Sequence, residues 1–538
     1  MKISMIIQRT CFLLLSISIL GSCKKVLDVA PYDSLTDATA FETPARIDLA
    51  MNGVYDAAQS GFYAGSYVNN RGYPFGSASI QQGDMRGEDM ATQQTFYQIT
   101  NEATYNATTA NNVNMWGNLY GLINKANLTI EGLAVAVSKG IITSAVGAQY
   151  TAECRFLRAM ALHEAVVNFA RPYADGNGNK LGVVIREFGI NSDATVAAAK
   201  AIPRSTVAEC YTKILADLDF AEQNLSATKN TFRATKSAAI ALKMRVKLHM
   251  QDWAGVITEG AKLVTQSNNP GPAPDYKRYK SQYGDSLMTS VTAPFGTAVA
   301  PVASTPENVF SIKNDPTDNP GTNAALARMW GRPSSRGVCV ISPIIYNLTT
   351  WRCDDQRRTS TLIAQSGQYY YTAKYIDYTN WSDAAPMIRY AEVILILAEA
   401  EARNATGTTV SAKGLDLLNF VRNRAVPSSA YYTTFANKNA LIKAILEERR
   451  IEFLAEGKRW GDIHRLALDP DFNTGGIPAK MSAISGTDLT LASYNCAGGI
   501  TLVKGIPAIA YSDIRFIWPI PLDEVQQNPI VIQNPGYQ

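Results

Sequence analysis

A mainly helical fold, built from helix hairpins with a loop-rich second lobe inserted among them, is what this sequence predicts. Apolar residues recur at helical spacing through long, Ala-rich windows. Those windows come in pairs joined by short polar turns, so neighbouring helices run antiparallel. Two stretches, 268–385 and 467–538, lose the helical period and fill with Gly, Pro, Ser, Thr and Tyr. Small side chains let paired helices approach closely, which points to a degenerate tetratricopeptide-like repeat over 41–267 and 386–466. Its spacing is irregular and long insertions interrupt it. Within the second lobe, only short runs such as Val309-Phe310-Ser311-Ile312 read as strands.

In chain order the first element is a leader. Lys2 and Arg9 flank the start of an apolar run from Cys11 to Leu20, and Gly21-Ser22-Cys23 closes it. This is the layout of a secretory signal, and a cysteine directly after small residues marks the bacterial lipoprotein variant. Residues 1–22 are expected to be removed, Cys23 to carry lipid, and 23–40 to form a tether. An ordinary signal peptide with an incidental cysteine is the simpler alternative. The run is shorter than the ~20 residues that a membrane-spanning helix requires.

Helical pattern begins at Phe41, with Ile47, Leu49, Val54 and Tyr55 near one face. Residues 60–110, rich in Gly, Asn, Tyr and Gln, read as a long functional loop segment. Trp116, Leu119, Tyr120 and Ile123 open the next helix, and Phe156, Leu157, Met160 and Ala161 stripe another over 146–170. Pro203 with Ser205 or Thr206 starts a further helix, Thr235 or Ser237 caps the next, and a turn at Gln251–Asp252 leads into its partner. Residues 387–404 and 411–424 form a later pair, and 438–456 a long final helix.

Composition narrows the function. Hydrophobic content of 46% and charged content of 18% describe a folded, water-soluble body. Fifty Lys and Arg against 46 Asp and Glu leave a net charge of only +4, so nucleic acid is not an expected partner. Beyond Cys11 and Cys23 remain Cys154, Cys210, Cys339, Cys353 and Cys496, an odd set without a CxxC. A Cys339–Cys353 bridge is open, and buried free thiols are the simpler reading.

Enzymatic constellations are missing from the pattern. His163, His249 and His464 lie in apolar helical windows without HExxH spacing, as packed core residues do. Neither a GxSxG elbow nor a phosphate loop occurs. Glu448, Glu452 and Glu456 share a helix face, and retaining glycosidases use a carboxylate pair about 5–5.5 Å apart. Arg449, Arg450, Lys458 and Arg459 interleave with them, so ion pairs pinning the helix explain the run better. Asp175-Gly176-Asn177-Gly178-Asn179 begins like a calcium loop, but Lys180 and Arg186 break that pattern and leave a tight turn. No catalytic residue, metal or cofactor is expected.

Motifs spread over nearly the whole chain resemble the SusD/RagB family. They include the leader cysteine followed by Lys24, Leu27, Asp28 and Pro31, then Trp116-x-x-Leu119-Tyr120-x-x-Ile123-x-x-Ala126-Asn127. Ala152-Glu153-Cys154-Arg155-Phe156-Leu157-Arg158-Ala159 and Arg233-Ala234-Thr235-Lys236-Ser237-Ala238-Ala239 follow. Next come Ile388-Arg389-Tyr390-Ala391-Glu392-Val393-Ile394-Leu395 and Asn419-x-Val421-Arg422-x-Arg424-Ala425. The strongest are Glu447-Glu448-Arg449-Arg450-Ile451-Glu452-Phe453 with Gly457-Lys458-Arg459-Trp460-Asp462, and the ending Trp518-Pro519-Ile520-Pro521 to Gln533-Asn534-Pro535-Gly536-Tyr537. Two departures stand out: Asn168-Phe169-Ala170-Arg171-Pro172-Tyr173 replaces the usual turn, and 60–110 matches no family pattern. The resemblance implies a non-catalytic, lipid-anchored nutrient-binding protein, displayed at the outer-membrane surface beside a TonB-dependent, SusC-like transporter.

Recognition is the chemistry left to the residues themselves. Sugars present C–H faces and hydroxyl edges, so their sites combine aromatic platforms with hydrogen-bonding side chains. One fitting stretch holds Tyr63, Tyr67, Asn69, Arg71, Tyr73 and Phe75, followed by Asp84, Arg86, Phe96 and Tyr97; a second holds Trp330, Arg332 and Trp351. Tyr67, Arg71, Tyr73, Phe75, Phe96, Tyr97, Trp330, Arg332 and Trp351 are thus the expected ligand residues for an oligosaccharide or polysaccharide. The alternatives are a peptide-binding RagB-like protein, a glycoside hydrolase and a pure scaffold.

Overall fold

The computed structural model describes residues 39–62, 70–266, 278–296, 304–331, 335–484 and 489–538. The expected leader, the lipid-bearing Cys23, and the ligand candidates Tyr67 and Arg332 lie outside the described residues. Sixteen helices make the chain 46% helical among the described residues, with only short strands. They are α1 (Pro44–Gln59), α2 (Ser77–Met85), α3 (Thr95–Asn101), α4 (Ala110–Ser138), α5 (Ser144–Phe169), α6 (Asp193–Lys200), α7 (Val207–Asn224) and α8 (Lys236–His249). There follow α9 (Trp253–Leu263), α10 (Leu326–Trp330), α11 (Pro343–Tyr346), α12 (Tyr390–Asn404), α13 (Ala412–Arg422), α14 (Lys438–Glu452), α15 (Arg459–Arg465) and α16 (Leu522–Gln527).

Local chemistry starts each scaffold helix. Thr43 caps α1 by accepting from Arg46 N at 3.3 Å, and Pro44 sits in the first turn, where a missing N–H costs nothing. Thr206 and Glu209 form a reciprocal capping box at α7, with Thr206 N donating to Glu209 Oε2 at 2.7 Å. Thr235 caps α8, and Asp252 caps α9 after Gln251 turns the chain at φ 59°. The starts at Thr206, Thr235 and Asp252 are ones the sequence marks, whereas the Thr43 cap is not among them.

Packing then follows the chain as in a repeat array. Helix α4 meets α1 and α5, α5 meets α7, α7 meets α8, α8 meets α9, and α9 meets α12, which also contacts α13 and α14. Inner helices are therefore covered on two sides, which is why α5 and α12 are buried around most of their circumference. Gly260 permits a close approach between α9 and α12: a Cβ there would lie 2.8 Å from Leu397 Cδ1.

The strands among the described residues pair in antiparallel twos. Residues 90–92 pair with 339–341, 308–312 with 385–389, and 363–366 with 369–372. The largest hydrophobic core runs from Ile47 to Val531 and takes side chains from both the helix array and the loop-rich lobe.

Two expectations need correction. Residues 60–110 are not one loop: they contain α2, α3 and a strand, and α2 packs against α15 and α10. The cysteines also pair otherwise than the Cys339–Cys353 option. Cys353 is bonded to Cys496 across 143 residues, with Cα atoms 5.1 Å apart, while Cys154, Cys210 and Cys339 are buried free thiols. Cys339 packs with its sulfur 3.5 Å from that of Met85.

Candidate functional site

The two expected ligand stretches do meet, because α10 packs on α2, but most of their aromatic rings point inward. Tyr73, Tyr97 and Trp330 are 0% exposed, Trp351 1% and Phe75 4%. These five offer no ring face to a ligand, contrary to the sequence reading. The physical reason is that α2, α3 and α10 are short and need those rings to fill the core beneath them. Tyr73 is further fixed because its hydroxyl accepts from Gln82 Nε2 at 2.6 Å.

What remains at this surface is a rim above the buried rings. Arg71 and Phe96 are half-buried, with the guanidinium carbon 5.6 Å from the ring centroid. Burial raises the Tyr97 hydroxyl well above its ordinary pKa, and the charges of Arg71 and Arg336 partly oppose that rise. Arg336 in turn donates to Asn323 Oδ1.

Two half-buried rings that the sequence reading missed flank the second stretch. Tyr378 packs where a side chain on Gly331 would stand, its Cε1 only 2.1 Å from the site of an added Cβ. Trp381 sits at φ 59° and donates from Nε1 to the Tyr378 carbonyl at 3.2 Å. Asp377 builds the turn that presents them, accepting from Asn380 N at 2.9 Å and Ser382 N at 3.0 Å. The run Asp377-Tyr378-Thr379-Asn380-Trp381-Ser382-Asp383 carries that signal in its own sequence: turn formers interleaved with aromatics.

Comparison with known proteins agrees with this architecture. A model of the SusD family matches residues 353–537, and a SusD-like family model described as starch-binding associating with outer membrane matches 25–248. The chain belongs to the SusD/RagB family. SusD-like protein P38 of Formosa agariphila is 25% identical over 85% of this chain and 91% of its own. A crystal structure of a SusD superfamily protein from Bacteroides fragilis superposes with a TM-score of 0.70 at 25% identity, covering 91% of this chain and 99% of that one. A SusD-like carbohydrate binding protein from Bacteroides vulgatus shares the fold at a TM-score of 0.68 and 17% identity, over 91% and 97% of the two chains.

Several SusD/RagB motifs prove to be a buried ionic lattice. Arg389 donates to Glu307 at 2.6 Å, to Glu452 at 2.9 Å and to Glu456 at 2.8 Å. Arg424 bonds Glu307 and Glu452, Arg357 bonds Asp355, Glu448 and Glu452, and Lys374 bonds Glu456. Burial alone would raise the Glu452 carboxyl, but Arg424, Arg389 and Arg357 override it and hold it below the ordinary range. The expectation of ion pairs holds, although the partners come from distant segments. The interleaved arginines turn elsewhere: Arg449 to Asp462, and Arg450 and Arg459 to Glu88 and Asp89.

The remaining motifs tie the two ends of the SusD/RagB fold together. Arg86 is enclosed, its guanidinium carbon 3.4 Å from the Trp460 ring and 4.7 Å from the Trp518 ring. It donates to Asn168 Oδ1 at 2.7 Å and to the Phe516 carbonyl at 2.9 Å. Asn534 donates to the carbonyls of Phe169 and Trp518, both at 2.8 Å. The atypical Asn168-Phe169 turn is thus the docking point of the C-terminal motif. All three histidines also fall in one buried group, with His163 and His249 centroids 4.8 Å apart and His249 and His464 6.5 Å apart. Among the described residues no cluster of three or more His, Cys, Asp or Glu has metal-holding geometry.

Proposed function

We propose that this protein is a lipid-anchored capture protein of the outer-membrane surface, which binds oligosaccharides without cleaving them and delivers them to a TonB-dependent, SusC-like transporter. The observation that carries the reading is a set of half-buried rings: Phe96 beside the Arg71 guanidinium, and Tyr378 with Trp381 on the Asp377 turn. Ring faces take sugar C–H surfaces at low entropic cost, and guanidinium groups take hydroxyl and ring oxygens. Family membership supports it, since one matching model is described as starch-binding. Binding without hydrolysis is supported by Glu448, Glu452 and Glu456, each held in buried ion pairs where a substrate has no access.

A glycan array that includes maltooligosaccharides, run beside a peptide panel, tests the reading. We expect saccharide binding that weakens at least tenfold in Trp381→Ala and in Arg71→Ala, with no reducing ends released. Retention by peptides alone, or steady release of sugars, would replace it with another function.

A further inference from the structure

A second aromatic group lies on the lobe, made from segments other than the Asp377 turn. Tyr346 ends α11, Tyr370 belongs to the strand 369–372, and Tyr494 follows Leu491–Ser493. Their ring centroids are mutually close: 4.7 Å between Tyr346 and Tyr370, 5.2 Å between Tyr346 and Tyr494, and 4.9 Å between Tyr370 and Tyr494. All three residues are half-buried. Rings recruited merely to fill a core end fully covered, as Tyr73 and Tyr97 do.

The backing of this surface is fixed with unusual redundancy. Arg358 stacks 4.4 Å from the Tyr346 ring and 4.1 Å from the Trp351 ring, and it donates to the carbonyls of Tyr346, Trp351 and Arg352. Asn347 donates to the Ser493 carbonyl and accepts from Asn495 N, both at 2.8 Å. Tyr494 donates to the Ile341 carbonyl at 2.8 Å, which fixes its ring. The Cys353–Cys496 disulfide closes the same loop pair. Exposed amides stand at the edge: Gln365 directly across the hairpin from Tyr370, and Asn495 beside Tyr494.

We infer that Tyr346, Tyr370 and Tyr494 form a second, preorganised saccharide platform, made of residues other than Phe96, Tyr378 and Trp381. The chemistry selects that ligand class: ring faces fit sugar C–H surfaces, and the exposed amides of Gln365 and Asn495, which donate to the Gly367 and Gly498 carbonyls, each keep a second N–H for a hydroxyl group. Rigid backing removes most of the ordering cost that a loop site incurs on binding. The inference rests on the saccharide reading above.

Titration calorimetry of the full chain with maltohexaose, xylohexaose and mannohexaose tests it. We expect two sites per chain for at least one hexasaccharide, with Tyr370→Ala removing one and Trp381→Ala removing the other. Because Tyr370→Ala also loosens the hairpin, hydroxyl-radical footprinting of the unmodified protein supplies a second readout. It should show Tyr346, Tyr370 and Tyr494 protected at least twofold by the bound sugar. A single site lost only in Trp381→Ala, with the three tyrosines unprotected, overturns the second platform and leaves sugar capture standing. Absence of binding to every sugar tested overturns both.

Discussion

At the residue scale, burial decides which charges matter. Glu452 is 4% exposed and receives hydrogen bonds from Arg357, Arg389 and Arg424. Replacing it with Gln leaves three guanidinium groups in a dry interior with their countercharge reduced, and breaking such a buried set costs about 3–5 kcal/mol. Urea unfolding of Glu452→Gln should register a loss of that size. Arg46 on α1 and Glu42 just ahead of that helix provide the contrast, with side chains 41% and 55% exposed. Water already solvates both, so Arg46→Ala should move the same measurement by less than about 1 kcal/mol. The charged run at 447–459 was legible as structural because its signs alternate along a helix. Its actual partners were not, because Arg357, Lys374 and Arg389 are 55 or more residues away in sequence, and no local pattern encodes that meeting.

At the scale of single elements, the histidine group on α5, α8 and α15 gives the fold an acid-sensitive core. Burial, followed by the charges of Arg245 and His464, lowers the His163 pKa to about 3; burial likewise lowers His464 to about 3 and His249 well below its ordinary value. A histidine kept neutral in the folded state contributes stability above pH ~6.5, where the unfolded chain is neutral too, and loses it as pH falls toward the folded value. Asp84, raised to about 8 by burial, and Asp383, raised to about 7, act in the opposite direction over the same range. The clean readout is therefore a difference: between pH 7 and pH 5, His163→Phe should lose about 2 kcal/mol less stability than the parent chain.

Element boundaries were read well where side chains cap the backbone. Thr206, Thr235 and Asp252 announced α7, α8 and α9 because capping is a local transaction between neighbours. Helices α2 and α3 were missed for the converse reason. Each is short, rich in Gln, Ser and Thr, and stabilised by what it packs against instead of by its own periodicity. The same packing turned Tyr73, Tyr97 and Trp330 from expected platforms into core, while Tyr378 and Trp381 on a turn stay half-buried.

Across the whole molecule, long-range ties join segments that the sequence keeps apart. The Cys353–Cys496 bridge closes a loop of 143 residues and links the two parts of the second lobe. Loop closure on that scale restricts the unfolded chain strongly, and removing such a bridge typically costs about 2–5 kcal/mol. The double replacement Cys353→Ser and Cys496→Ser should lower thermal stability accordingly, and dithiothreitol should reproduce the drop in the parent chain. Fold class was readable at this scale because helical period and Ala content are additive over long windows. Which cysteines meet, and which tyrosines share a surface, depends on three-dimensional closure and could not be read.

The enclosure of Arg86 has a consequence for how the chain matures. Its guanidinium finds Asn168 midway along the sequence, but Trp460, Phe516 and Trp518 stand near the far end. A ribosome or export channel delivers those caps last. Until they emerge, the early segment carries a naked cation in the place where the finished protein has an aromatic sandwich. Chains truncated before residue 516 therefore lack the groups that enclose this cation in the finished fold.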